Sequence, residues 1–233
     1  MNAEQVPDGI TRRKLLRRAA AAVTAAAVSR SGSISALADE STVPPVILTQ
    51  RPPLADRHFT SPVIEETIQR VSRQIADPEL ALIFSNCLPN TLDTTVDPGT
   101  SSGKPDTFVI TGDIDAMWLR DSSAQVWPYL PFCGKDAKLS ALIEGVVRRQ
   151  TRCILIDPYA NAFMRTTSSK PLPWAVHDDT VMKPGVGERK WEIDSLCYTI
   201  RLAHGYWRAT GNTAPFDDDW LEASRAIVRT FRE

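Results

Sequence analysis

Apolar side chains recur at intervals of three and four residues along several stretches of this chain. The clearest run consists of Ile64, Ile68, Val71 and Ile75. This spacing places the side chains on one face of an α-helix, and the need to bury such faces limits how a chain can fold. Residues prone to form strands are confined to short stretches such as 107–111. The sequence therefore predicts a mainly α protein with long loops between its helices.

Three later stretches carry the same helical pattern. They cover residues 136–154, residues 191–210 and a segment that begins near residue 217. In the first of these, the predicted buried face carries Leu139, Leu142, Ile143, Val146 and Val147, and the opposite face carries Arg148, Arg149 and Arg152. In the second stretch, one face of the predicted helix carries Ile193, Cys197, Ile200, His204 and Trp207. This pattern predicts that the face is buried and that His204 is a core histidine, while Gly211 is a candidate C-cap.

The first 38 residues have the features of an export signal. Arg12 and Arg13 stand within Thr-Arg-Arg-Lys-Leu-Leu, which is typical of twin-arginine signals, and an apolar run rich in alanine follows at 19–28. Residues 36–38, Ala-Leu-Ala, then supply a small-x-small cleavage site. Residues 1–38 are therefore predicted to be a twin-arginine signal peptide. The predicted partner during export is the twin-arginine translocase, and the predicted location is periplasmic or extracellular.

A basic amphipathic or nucleic-acid-binding arm is the alternative interpretation of these residues. Arms of that kind do not continue into an alanine-rich run that ends in a cleavage site. The apolar run at 19–28 holds mostly alanine, and it is well short of the ~20 strongly apolar residues that a spanning helix needs. No stable membrane anchor is expected.

The next segment, residues 39–61, contains repeated prolines, including Pro44, Pro45, Pro52 and Pro53. Consecutive prolines favour extended polyproline II geometry and block helix formation. This segment is predicted to be a linker or an arm that wraps around the following domain.

The charge balance and the cysteine spacing exclude two kinds of function. Lys and Arg number 27 and Asp and Glu 28, so the formal net charge of -1 creates no field that would attract nucleic acid. Four widely spaced cysteines, Cys87, Cys133, Cys153 and Cys197, lack the Cys/His pattern of a metal site. The sequence therefore predicts neither a metal nor a cofactor. Each cysteine has apolar neighbours and is predicted to be a buried thiol, with pairing between some of them as the alternative.

Acidic, basic and aromatic side chains are densest in residues 111–122. This segment contains Asp113, Asp115, Trp118, Arg120 and Asp121. Carboxylates and guanidinium groups exchange hydrogen bonds with sugar hydroxyls, and an indole packs against the C–H face of a pyranose. The segment is therefore a candidate sugar-binding site. The alternative is that Arg120 forms a structural ion pair with one of the acids.

Three further side chains are candidates for the same site. His177 stands in a loop with a tryptophan and two acids, which suits the rim of a sugar site or an exposed turn. Glu192 and Asp194 flank Ile193 near a predicted helix start, where they either contact sugar or favour the helix dipole.

Four motifs, in order along the chain, resemble a known family. They lie at 86–95, 107–110, 112–122 and 190–198. Together they resemble glycoside hydrolase family 125, the metal-independent exo-α-1,6-mannosidases, from about residue 61 onward. The resemblance implies an (α/α)6 barrel, or toroid, with the substrate pocket in loops at one end. It also implies hydrolysis of non-reducing terminal α-1,6-linked mannose, with a mannose-containing oligosaccharide or glycan as partner.

The resemblance also limits the mechanism. Family members resemble inverting glycosidases, in which one carboxylic acid protonates the leaving oxygen and a second carboxylate activates water. None of the four motifs matches that pair, so the acid and the base are expected beyond Glu233.

The helices predicted from the sequence are too few to close such a barrel. Residues 62–233 are therefore expected to be the N-terminal part of an (α/α)6 glycosidase domain, with the chain ending before the barrel closes. Three alternatives remain: a short helical domain that is complete, a non-catalytic glycan-binding helical protein, and another (α/α)6 glycosidase of the glucoamylase type.

Overall fold

The computed structural model describes residues 49–233. The predicted signal peptide, 1–38, and the first part of the proline-rich segment lie outside the described residues. Within the described part, helices predominate, which confirms the predicted mainly α class.

Seven α-helices and five short strands occur in residues 49–233. The helices are α1 (Pro62–Ser72), α2 (Pro78–Cys87), α3 (Asn90–Thr94), α4 (Leu119–Val126), α5 (Ala137–Ile156), α6 (Ile193–Thr210) and α7 (Asp218–Thr230). The strands are β1 (Val96–Ser101), β2 (Lys104–Val109), β3 (Met117–Trp118), β4 (Ala162–Phe163) and β5 (Val186–Glu188). Short 3-10 helices cover Leu54–Asp56, Trp127–Phe132 and Ala175–His177.

Helix α5 is the longest of these helices and lies at the centre of the main core. Its N-cap, Asp136, accepts hydrogen bonds from the backbone N–H groups of Lys138 at 2.9 Å and Leu139 at 3.0 Å. The apolar face predicted for this helix is buried, as expected; it carries Leu139, Leu142, Ile143, Val146 and Val147. Burial of this face removes its apolar surface from water, which stabilises the fold.

Strands β1 and β2 form an antiparallel hairpin that packs on α5. Ser102 and Gly103 both have positive φ, 51° and 74°, as the two central residues of a type I′ turn require. Gly145 of α5 allows the close approach of β2. A Cβ atom there would lie 2.4 Å from Oγ1 and 2.8 Å from the backbone nitrogen of Thr107.

Helix α6 buries a different face from the one predicted. The residues predicted to be buried, Ile193, Cys197, Ile200, His204 and Trp207, are exposed. The core side of the helix carries Leu196, Thr199, Leu202, Ala203 and Tyr206. Gly205 lets this side approach the 3-10 helix Trp127–Phe132, because a Cβ there would lie 2.7 Å from a ring carbon of Trp127. The prediction that His204 is a core histidine is therefore wrong. The predicted C-cap is correct, since Gly211 has the left-handed φ of 69°.

The three-stranded sheet β3–β4–β5 supports the start of α4. Trp118 of β3 lies opposite Ala162 of β4, which lies opposite Glu188 of β5. Directly opposite residues point to the same face of a sheet, so Trp118 and Glu188 share a face with the small Ala162 between them. Helix α4 begins at the next residue, Leu119, whose N–H donates to the backbone carbonyl of Asn161 at 3.1 Å.

The described part of the proline-rich segment is held by Arg51. Its guanidinium donates to Glu65 of α1 at 2.9 Å and to Asp93 of α3 at 2.7 Å. The hydrogen bond from Arg51 outweighs burial and holds the pKa of Glu65 below its ordinary value. Residues next to these prolines are therefore attached to the helical body.

In residues 49–233 no helix is both long enough and apolar enough to cross a membrane.

All four cysteines are free. Cys133 and Cys153 are buried as predicted, whereas Cys87 and Cys197 are exposed, contrary to the prediction.

Candidate functional site

Arg120 lies in the first turn of α4 and contacts three carboxylates. Its Nε donates to Asp121 at 3.2 Å, and its Nη1 donates to Glu192 at 3.1 Å and to Asp194 at 3.2 Å. Glu192 is the N-cap residue of α6, and Asp194 lies in the first turn of that helix. The structure thus brings together four side chains that the sequence analysis selected. We call Arg120, Asp121, Glu192 and Asp194 the Arg120 cluster.

The Arg120 cluster has a surplus of negative charge and is open to solvent. Three carboxylates share one guanidinium, and the side chain of Arg120 is 36% exposed. A structural ion pair needs only one acid, and pairs with this exposure contribute roughly 0–1 kcal/mol to stability. Surplus acceptors beside a donor suit a neutral ligand that carries several hydroxyl groups.

The cluster also has a defined protonation state at Arg120. Burial alone would lower the pKa of Arg120, but its hydrogen bond to Asp194 and the attraction of the other two carboxylates raise the pKa above its ordinary value. Ser195 fixes Glu192 from the other side, because its hydroxyl donates to Glu192 Oε2 at 3.0 Å. The guanidinium therefore stays charged and Glu192 is held in place.

Two predicted acids of the segment lie apart from Arg120. Asp115 accepts a hydrogen bond from Arg165 at 2.9 Å, and Arg165 also pairs with Asp97 of the hairpin. Asp113 is exposed and lies 3.5 Å from the hydroxyl of Thr111. A substrate-binding role for Asp113 and Asp115 stays a prediction.

The two remaining candidates have different surroundings. Trp118 is half-buried and packs on a small apolar cluster that includes Ala162, Leu172 and Ala175. His177 is exposed at the end of the 3-10 helix that begins at Ala175. Within residues 49–233, neither a hydrogen bond nor an ion pair joins His177 to the Arg120 cluster, so its role on the rim also stays a prediction.

The residue groupings and the cavities of the same part of the chain bear on metal binding and on ligand binding. Across residues 49–233, no three His, Cys, Asp or Glu side chains are grouped so that they could hold a metal ion. One apolar cavity of about 240 Å³ lies on the exposed side of α6, next to Ile200, His204 and Trp207. It does not include the Arg120 cluster.

Comparison with known proteins identifies the family. Residues 77–233 match the metal-independent alpha-mannosidases, glycoside hydrolase family 125. This chain belongs to that family. The resemblance carried by the four sequence motifs is therefore confirmed.

Two proteins that are similar to this chain are much longer than the region that matches it. The Meiotically up-regulated gene 157 protein of Schizosaccharomyces pombe is 38% identical over 196 residues, which cover 79% of this chain and 37% of that protein. A solved metal-independent alpha mannosidase of Streptococcus pneumoniae, in a non-productive complex with alpha-1,6-mannobiose, is 40% identical with a TM-score of 0.67. The match covers 74% of this chain and 39% of that one. The chain thus spans less than two fifths of the length of either protein.

Sequence analysis of this family 125 chain missed Glu188. Its carboxylate is buried and accepts hydrogen bonds from Lys190 Nζ at 2.9 Å, Asn161 Nδ2 at 2.7 Å and Trp174 Nε1 at 3.0 Å. Burial alone would raise the pKa of Glu188, but these hydrogen bonds, with that from Lys190 the strongest, hold it below the ordinary value. Glu188 stands in a stretch without apolar periodicity, so no signal in the sequence marks it.

Proposed function

We propose that the full-length protein is a glycosidase that releases non-reducing terminal α-1,6-linked mannose, without a metal and with inversion at the anomeric carbon. The observation that carries this proposal is the Arg120 cluster, which joins two of the segments that resemble family 125, 112–122 and 190–198. The family description supports the α-mannosidase reaction. The mannobiose bound to the Streptococcus pneumoniae relative supports the α-1,6 linkage.

In this proposal the Arg120 cluster binds the hydroxyl groups of the terminal mannose. Each carboxylate accepts a hydrogen bond from a hydroxyl, and Arg120 donates one to a sugar oxygen. The Nη2 group of Arg120 makes no hydrogen bond to any residue of 49–233, so it is the donor we assign to the sugar. Trp118 supplies an apolar wall for the C–H face of the ring.

Inversion requires two further carboxyl groups, an acid and a base, about 6.5–9.5 Å apart. The Arg120 cluster has a binding role here, because its three acids are tied to one arginine. The acid and the base are expected beyond Glu233.

We further propose that α1 to α7 belong to an (α/α)6 barrel. Apolar side chains are exposed on both of the last two helices, including Trp207 of α6 and Leu221 and Val228 of α7. Folded proteins rarely leave large apolar patches in water. Further helices of a barrel would cover these faces, and the TM-score of 0.67 to the solved relative supports this arrangement.

The test is turnover of α-1,6-mannobiose by the full-length gene product, with and without a chelator. Chelator-resistant release of mannose that first appears as the β-anomer by proton NMR is the expected result. Initial release of α-mannose would contradict inversion. Binding of mannobiose without turnover would favour a non-catalytic glycan-binding protein, and cleavage of α-glucans alone would favour a glucoamylase-type enzyme.

Export by the twin-arginine route is proposed from residues 11–38 alone. Replacement of both Arg12 and Arg13 by lysine is expected to keep the protein in the cytoplasm. Sequencing the N-terminus of the exported protein should find Asp39 first, and any exported product that retains residues 1–38 contradicts cleavage there.

A further inference from the structure

Trp174 is an exposed aromatic side chain whose orientation is fixed. The residue is 47% exposed, yet its indole N–H donates to the buried carboxylate of Glu188 at 3.0 Å. An indole N–H at the surface could bond to water instead of to a protein group. Burial of the Glu188 carboxylate carries a desolvation penalty. The need of the indole N–H for a hydrogen-bond partner therefore does not by itself explain why a buried carboxylate holds it.

The loop around Trp174 is anchored on both sides. Leu172 and Ala175 are buried, and the N–H of Ala175 donates to the carbonyl of Leu172 at 2.9 Å. The N–H of Leu172 in turn donates to the carbonyl of Gly187, beside Glu188, at 3.0 Å. A ligand that packs on Trp174 would therefore meet a preformed surface, which lowers the entropy lost on binding.

The same hydrogen bonds connect Trp174 with the Arg120 cluster. Asn161 donates to Glu188 at 2.7 Å and accepts a hydrogen bond from the N–H of Leu119 at 3.1 Å. Leu119 immediately precedes Arg120. The side-chain oxygen of Asn161 also accepts from the N–H of Lys190 at 3.0 Å, two residues before Glu192. Asn161 thus links the support of Trp174 to both segments that form the cluster.

We infer that Trp174 forms a second sugar-binding position, which stacks on the hexopyranose next to the terminal mannose, and that Glu188 is the residue that positions it. This inference rests on the proposed function, because it takes the Arg120 cluster as the position of the terminal mannose. An indole face suits the apolar C–H face of a pyranose. Trp174 therefore distinguishes a glycan of two or more units from free mannose.

The experiment compares binding of two sugars to the full-length protein by calorimetry. One is mannose, and the other is an α-1,6-mannobiose whose bridging oxygen is replaced by sulfur, so that the enzyme does not hydrolyse it during the titration. Trp174→Ala is expected to raise the Kd for mannobiose about 10-fold and to change the Kd for mannose less than about 2-fold, since only the second unit touches the indole. Trp174→Phe keeps a ring and should recover most of the affinity. Val176→Ala, at a 59% exposed side chain in the same loop, is the matched control and should change neither value.

Glu188 is tested by its own pair of variants. Glu188→Ala is expected to raise KM for mannobiose and leave kcat unchanged, whereas Glu188→Gln keeps an acceptor for the indole and should restore KM. A fall in kcat with both variants would overturn the positioning role. Circular dichroism checks that each variant folds.

The outcomes separate the two claims. If the wild-type protein binds mannobiose and Trp174→Ala leaves both Kd values unchanged or raises them equally, the second position is overturned while the proposed function stands. If the wild-type protein binds neither sugar, both are overturned.

Discussion

The charged residues around Arg148 and those around Arg120 differ in burial and in the number of partners that the protein supplies. Arg148 of α5 donates to Glu144 at 2.8 Å, to Asp217 at 2.9 Å and to the carbonyl of Ala214 at 2.6 Å. All three nitrogens of its guanidinium are used, and its side chain is 9% exposed. In the Arg120 cluster, two nitrogens serve three acids and more than a third of the arginine side chain is exposed.

This difference separates two uses of the same side chain. Arg148 connects α5 to the start of α7, and each of its three nitrogens already donates to a protein acceptor. Arg120 keeps a donor that no residue in 49–233 uses, beside acids with spare acceptor capacity. The hydrogen bonds that an arginine leaves unmade therefore distinguish a binding arginine from a structural one.

Arg148→Ala is expected to lower the free energy of unfolding by roughly 3–5 kcal/mol, because it leaves the buried carboxylate of Glu144 without its cation. Urea unfolding of the full-length protein measures the change. Arg225→Ala removes an arginine that is 62% exposed in a pair with Glu222 and is the matched control, expected to change stability by less than about 0.5 kcal/mol. Equal losses in the two variants would contradict the structural role of Arg148.

Gly145→Ala is expected to destabilise the protein by about 1–3 kcal/mol through overpacking. The new methyl group would meet the backbone of Thr107, 2.8 Å away, which has no flexible end that could move aside. Gly134→Ala is the control, since the nearest atom to its Cβ is the carbonyl oxygen of Ala209 at 3.8 Å. The difference in melting temperature between the two variants checks the prediction, and similar melting temperatures would sink it.

Arg120→Ala is expected to change stability by no more than about 1 kcal/mol. In contrast, kcat/KM for mannobiose should fall about 10- to 100-fold, because a hydrogen bond to a charged group contributes ~1.5–3 kcal/mol. Arg229→Ala, at a 58% exposed side chain that pairs with Glu222, should change neither quantity. A loss of stability as large as that of Arg148→Ala, with no separate effect on sugar binding, would show that Arg120 is structural.

The pH dependence of stability should reflect the ion pair between Arg148 and Asp217. Burial would raise the pKa of Asp217, but hydrogen bonds from Lys104 and Arg148 lower it below its ordinary value of 3.8. Because the folded pKa is the lower one, the stabilisation is complete above the unfolded pKa and is lost as the pH falls through the folded value.

Asp217→Asn is therefore expected to flatten the loss of stability below about pH 4. The amide can still accept from the N–H of Trp220, 3.3 Å away in the native protein, so the cap of α7 is kept. Unfolding free energies between pH 5 and pH 3 test this. A variant curve parallel to that of the wild type would contradict it.

The sequence predicted the buried face of α5 but not that of α6, and the two helices explain the difference. In the sequence of α5 the apolar residues fall on one side and Arg148, Arg149 and Arg152 on the other, so the periodicity indicates a single buried face. The exception is Arg148, which is buried because Glu144 and Asp217 pair with it. Helix α6 has apolar residues on both sides. On the core side, Gly205 allows close approach to Trp127, and this contact between distant residues is not encoded in any periodicity.

In the candidate site, too, contacts between residues distant in the chain could not be predicted from the sequence. Glu192 and Asp194 were selected from a motif, and the structure places both beside Arg120. The partner of Asp115, Arg165, lies 50 residues away in the chain. Besides the nearby Lys190, Glu188 is held by Trp174 and Asn161, which lie 14 and 27 residues away. Contacts of that kind depend on how the loops fold over the sheet, so residue types and spacing alone did not find them.

The distribution of the thiols makes the native chain suitable for selective chemical labelling. Burial raises the pKa of Cys133 and Cys153 to about 12, so neither supplies the thiolate that alkylating reagents require. In residues 49–233, Cys87 and Cys197 are exposed. Since Cys197 lies on the outward face of α6, a maleimide dye reaches it only where that face is open to water. The rate at which Cys197 is labelled in the folded full-length protein, relative to Cys87, would then report whether further helices cover α6.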